Sequence, residues 1–131
     1  MAKYVIGPDV AVRLAEERAE VRDEHQLLAP TLIRSHALSL LYGRVRRGEL
    51  PKKAAERQLD FIRGLRIRLL GDRVLQATAW KVAEELGWAD TYAAEYVALA
   101  RLHADALVTL DEELARDVKG LVPVAAFDAL I

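Results

Sequence analysis

The chain contains no cysteine. Disulfides and thiolate metal sites are therefore excluded, a composition that fits a reducing, cytoplasmic setting. No apolar run approaches the ~20 residues a membrane span needs, and the opening Met-Ala-Lys-Tyr-Val-Ile is too short for a signal peptide's apolar core. A net charge of −1 leaves no excess of either sign, which argues against tight, non-specific binding to nucleic acid. Glycine is sparse where phosphate binding would need it. After the first apolar run there is one glycine followed by an acid, Gly7-Pro8-Asp9, instead of a glycine-rich loop. That arrangement suits a cation better than an anion and speaks against a flavodoxin-like or nucleotide-binding domain. Internal repeats, low-complexity stretches and linkers are also missing. What is present is 131 residues, 53% hydrophobic and 30% charged, as expected for one globular domain over residues 1–131. A chain of this length buries roughly 65–70% of its unfolded surface, enough for a core of its own.

Apolar periodicity divides the chain into alternating strands and helices. Lys3–Ile6 reads as a buried strand stopped by Gly7-Pro8, and a helix follows from Pro8 to about Arg22, with Val10, Leu14 and Val21 on one face. Leu27–Ala29 is a second strand, ended by Pro30. Helices are predicted over Thr31–Arg46 and Pro51–Arg63, the second with proline at its first position. Arg66–Leu70 is a third strand. Asp72 caps a helix to Leu86, and Gly87 closes it. Asp90 is a candidate cap for a helix reaching about Leu102. Ala106–Leu110 and Leu121–Val124 are strands flanking a short Asp111–Val118 helix, and Phe127–Leu130 is a terminal turn. Strands separated by helices imply an α/β fold: a three-layer α/β/α sandwich around a mainly parallel, roughly five-stranded sheet. Ligands of such sheets bind beyond the carboxyl ends of the strands, where strand order reverses.

Three segments together resemble the PIN domain family, and within it the VapC-like toxin ribonucleases. Tyr4–Leu14 resembles the opening strand and the turn bearing the first aspartate. Leu28–Leu38 resembles the second strand, its proline and the helix that carries a glutamate. Thr91–Ala100 with Ala106–Asp111 resembles the aspartate-bearing helix and a strand ending in Thr, any residue, Asp. The resemblance covers essentially the whole chain. It implies a fold in which carboxylates converge at the sheet edge to hold Mg²⁺ or Mn²⁺ and hydrolyse RNA, with no covalent protein intermediate. It also implies an RNA substrate such as tRNA or rRNA, an antitoxin partner and a homodimer, with no role for a membrane.

Carried over residue by residue, the resemblance picks out Asp111 as a metal ligand at a strand end, with Thr109 as its companion. Asp111 is equally suited to cap the helix that follows it. The chain departs from the pattern at three positions. Gly7 occupies the place of the first aspartate and the nearest carboxylate is Asp9, displaced by up to ~6.6 Å along an extended chain. Metal–oxygen bonds are only ~2.0–2.6 Å long, so Asp9 serves only if Gly7-Pro8 bends the backbone to aim it; its other role is to cap the next helix. His36 stands at the position of the family glutamate and is a poor Mg²⁺ ligand, so a hydrogen-bonding role near the cleft is its alternative. Ala93 replaces the aspartate of the helix signature Tyr-Asp-Ala, as in a degenerate member or one deliberately silenced. Asp90, one turn earlier on the same face, substitutes in part or caps the helix. Glu95 projects roughly 200° away from Ala93. The expected metal set is thus Asp9, Asp90 and Asp111, with turnover weak or absent, and the alternative is a non-catalytic scaffold that binds RNA or a protein.

Two basic stretches, Arg44–Arg57 and Arg63–Arg68, are either solvated helix faces or a surface for phosphate. The helical pair around Arg34–Arg57 is expected to offer an apolar face to a second copy or an antitoxin helix. Burial of Leu38, Leu41, Tyr42 and Phe61 within the monomer would count against it.

Overall fold

The computed structural model describes residues 2–131. Among them five strands and six α-helices alternate: β1 (Lys3–Ile6), α1 (Pro8–Glu17), β2 (Gln26–Pro30), α2 (Ile33–Arg46), α3 (Lys52–Gly64), β3 (Ile67–Leu70), α4 (Arg73–Leu86), α5 (Tyr92–His103), β4 (Ala106–Val108), α6 (Glu112–Val118) and β5 (Val124–Ala125). A 3₁₀ turn over Phe127–Leu130 follows. The sheet is wholly parallel in the order β3-β2-β1-β4-β5. From β1 the chain builds outward to β2 and β3, then returns to the other side for β4 and β5. The reversal lies between β1 and β4.

Successive strand residues point to opposite faces of a sheet. Val5 and Ile6 in β1 are both fully buried, as are Leu107 and Val108 in β4, so both faces are covered by helices and the architecture is a three-layer α/β/α sandwich. Helix α5 lies on β1, β2 and β4, with α4 packed along it. Helix α1 is buried on two sides. Val10, Ala11 and Leu14 join the main core, while Val12 meets Leu41 of α2 and Ala55 of α3 in a smaller one. Among the described residues no helix is long and apolar enough to cross a membrane.

Local signals hold where they are strong. The Asp72 side chain accepts from the Leu75 amide at 2.9 Å, and Gly87 closes α4 in the left-handed region at φ 67°. Other boundaries move for identifiable reasons. Helix α1 stops at Glu17 and not Arg22, because Arg18 turns left-handed at φ 49° and the Ala19 amide reaches back to the Leu14 carbonyl. Strand β4 ends at Val108, two residues early, because Thr109 and Leu110 turn toward Asp9. Leu121 and Val122 bond back to the Val118 carbonyl, so the last strand begins at Val124 instead of Leu121. The cap position of α5 is taken by Thr91, not Asp90.

Candidate functional site

Asp9 sits in the first turn of α1, just past the carboxyl end of β1, and the Thr109–Asp111 segment leaves the end of neighbouring β4. The two therefore meet at the point where strand order reverses. Asp9 Oδ2 accepts from the Leu110 amide at 3.0 Å and from the Thr109 hydroxyl at 3.3 Å, and Oδ1 accepts from the Val10 amide at 2.8 Å. Thr109 Oγ1 in turn accepts from the Asp111 amide at 3.1 Å. Asp9 and Asp111 are thus joined through one hydroxyl.

The glycine at position 7 makes this possible by its size. Its φ of −78° is open to any residue, but a Cβ there would lie 2.6 Å from Asp9 Oδ1. A side chain at position 7 and the present pose of Asp9 exclude each other, so the displaced acid and the glycine belong together. Asp9→Asn should cost about 1–3 kcal/mol, because one amide face presents a donor to the Leu110 N–H or the Val10 N–H. Thermal unfolding measures this, and an unchanged midpoint would show that the knot carries no stability.

Ala93 and Asp90 face the other side of this rim. With Asp111, Glu113, Asp117, Trp88 and Leu114 they line a cleft of about 290 Å³. Each expected ligand is nevertheless turned toward backbone. Asp111 Oδ1 caps the Leu114 amide at 3.1 Å, Asp90 Oδ1 accepts from the Tyr92 amide at 3.2 Å, and Asp9 is held as described. Among the described residues no group of three or more histidine or acidic side chains is placed to hold a metal ion. The residues present therefore do not fit a Mg²⁺ site of the usual carboxylate count.

His36 and Tyr96 complete the rim. His36 Nδ1 and the Tyr96 hydroxyl share a hydrogen bond of 3.0 Å, and the rings stack with 14° between planes. Exposed Tyr92 meets His36 edge-on. Burial lowers the His36 pKa below its ordinary value, with the Asp90 charge opposing the shift. Burial also raises the Tyr96 phenol, helped by the charges of Glu95 and Asp9, and burial raises Glu95. Tyr96 is the residue that sequence reasoning missed. Its signal was its position one turn after Tyr92 and Ala93 on α5.

The depressed His36 has a consequence for stability. Its imidazolium is disfavoured in the fold, so below the ordinary value of 6.5 the unfolded chain binds the proton more readily and stability falls with pH. A His36→Asn variant should therefore lose less stability between pH 7.5 and 5.5 than wild type, by thermal melts across that window. Parallel curves would refute the assignment.

Neither a family model nor a curated relative matches the sequence. Solved structures do. PAE2754 from Pyrobaculum aerophilum superposes with a TM-score of 0.72 at 25% identity, over 98% of this chain and 92% of that one. VapBC2 from Rickettsia felis, solved bound to a DNA fragment from its promoter, gives a TM-score of 0.64 at 12% identity, over 95% of this chain and 98% of that one. VapBC-1 from nontypeable Haemophilus influenzae gives 0.62 at 11% identity, with coverage of 96% and 98%. Matches of this extent, with acids gathered where β1 and β4 part, make the fold of this chain that of a VapC-like PIN domain.

Proposed function

We propose that the chain is a VapC-like PIN domain of the toxin–antitoxin type whose own ribonuclease turnover is weak or absent, and whose chief partner is an antitoxin protein. The observation that carries the reading is the state of the acids at the sheet edge. Asp9 has both oxygens committed to backbone and hydroxyl donors, and Ala93 contributes no carboxylate to the cleft it lines with Asp90 and Asp111. The ion such a domain would use is Mg²⁺ or Mn²⁺, and Asp9, Asp90 and Asp111 are a short ligand set for it.

A non-catalytic, partner-binding scaffold is favoured by a second feature. A groove of about 480 Å³ runs between α2, α3 and edge strand β3, walled by Ile33, Ala37, Leu59, Ile62 and Leu69. Leu38, which also lines it, is 54% exposed, and Tyr42, one turn on along α2, is 65% exposed, whereas Leu41 is buried. Exposed apolar surface continuous with a groove marks a protein interface.

The test is cleavage of single-stranded RNA by the full chain with Mn²⁺, beside Asp9→Ala. Wild type should stay near the no-enzyme background. Rapid cleavage that disappears in Asp9→Ala would overturn the inactive reading.

A further inference from the structure

The amino ends of the strands form the rim opposite Asp9 and Asp111. There the loop from α1 to β2 and the turn from α3 to β3 flank a cavity of about 840 Å³, larger than the acidic cleft of about 290 Å³. A second cavity of about 360 Å³ adjoins it between α1 and α3, and Arg18 and Phe61 belong to both walls. Sites for small organic ligands occupy roughly 300–1,000 Å³.

Among the described residues, two buried side-chain polar atoms lack a hydrogen-bond partner, and both belong to these walls. They are His25 Nδ1 in the larger cavity and Gln58 Oε1 in the smaller. A buried polar atom left unpaired costs stability, and native folds keep few of them. Both side chains are only half-buried, so rotation of the His25 ring or the Gln58 carboxamide about its last torsion delivers each atom to an occupant.

The same walls hold cations without acids. Arg18, Arg57 and Arg66 have no ion-pair partner among the described residues, whereas Arg44, Arg47 and Arg63 of the same basic stretches face Glu16, Glu49 and Asp60. Against these three stand two acids that are also unpaired, Glu20 and Asp23, both exposed on the loop after α1. Arg18 also complements the negative end of the α1 dipole, but Arg57 lies in the middle of α3 and has no such role. Guanidinium groups bind phosphate through paired N–H donors. Phe61, with Leu65 beside it, adds an aromatic and apolar face of the kind on which bases stack.

We infer that this cavity is a second ligand site and that it takes a mononucleotide. Arg18 and Arg66 hold the phosphate, Phe61 and Leu65 meet the base, and Gln58 and His25 pair with hydroxyl or base-edge groups. The site lies at the opposite end of the sheet from Asp9, and the assignment is independent of the nuclease reading.

The test is calorimetric titration of the full chain with AMP, adenosine and inorganic phosphate, with circular dichroism confirming that each variant is folded. Wild type should bind AMP with a dissociation constant of about 0.1 mM, and adenosine and phosphate at least about tenfold more weakly, since each supplies only part of the contacts. Arg18→Gln and Arg66→Gln should each weaken AMP about tenfold and leave adenosine unchanged. His25→Phe and Gln58→Leu should each weaken AMP about fivefold. Neither should lower the melting midpoint of the ligand-free chain, because neither atom has a partner to lose. No AMP binding at about 5 mM, phosphate binding as tightly as AMP, or AMP binding indifferent to both arginine variants would each overturn the inference. So would a lowered ligand-free midpoint in both His25→Phe and Gln58→Leu. Single-stranded RNA that displaces AMP and loses affinity equally in Arg66→Gln would assign the surface to a nucleic-acid strand instead.

Discussion

Ala93→Asp is expected to raise Mn²⁺-dependent cleavage of single-stranded RNA about a hundredfold above wild type. Position 93 lines the same cleft as Asp90 and Asp111, and the cleft has room for a carboxylate. A carboxylate at position 93, added to Asp90, Asp111, Glu113 and Asp117 in the cleft, raises the charge count that a hard cation needs, and losses or gains of single groups around such sites change metal affinity by about 10–100-fold. The stability readout is independent of catalysis. Without metal, a further negative charge beside Asp90, Asp111, Glu113 and Asp117 costs about 1 kcal/mol. With Mn²⁺ at a hundred times its dissociation constant, binding to the folded state returns about 2.7 kcal/mol. The variant should therefore melt below wild type in chelator and above it in Mn²⁺. Equal cleavage by both chains, or the same Mn²⁺ shift in both, would show that position 93 is not part of an ion site.

Leu107→Ala is expected to be the most damaging single truncation in the sheet. Leu107 is fully buried in β4, in register with Val5 of β1 and Val124 of β5. The residue sits in a strand interior with neighbours on both sides, so the surroundings have little freedom to collapse into the vacated volume. The expected cost is about 3–5 kcal/mol, out of a total stability of roughly 5–15 kcal/mol. The thermal midpoint should fall by roughly 10–20 °C. Leu38→Ala is the control: on an exposed position of α2 the same truncation should stay within about 0.5 kcal/mol. Similar losses at the two positions would mean that the core is not where the burial pattern places it.

The site was legible in residue types more than in contacts. Asp111 at a strand end, Thr109 beside it, and a missing acid at position 93 could be read from the order of the chain. Asp111 also performs the capping role that its place before a helix allows. Asp9 was visible as an acid two residues late, but its role as cap or aimed carboxylate was open. In the fold it does both, accepting from Val10 locally and from Leu110 across 101 residues. That second bond also shortens β4, which is why the strand's predicted end at Leu110 was wrong. His36 was placed near the cleft by position alone, and although the place of Tyr96 on α5 was visible, its pairing with His36 across 60 residues was not. Of the four side chains weighed for burial on the α2–α3 pair, only Leu41 is fully buried, Phe61 is partly so, and Leu38 and Tyr42 stay open.

By itself the sequence determined the alternation of short apolar strands with amphipathic helices, hence a parallel sheet covered on both faces, and it determined the start of α4 at Asp72 and its stop at Gly87. These follow from periodicity, capping and backbone freedom, which act over a few residues. Only the tertiary structure decided where β1 and β4 part, which donors occupy the Asp9 oxygens, and which apolar side chains remain in water. Those outcomes depend on chain closure over tens to a hundred residues, where a side chain's partner is set by the sheet order and not by its neighbours in sequence.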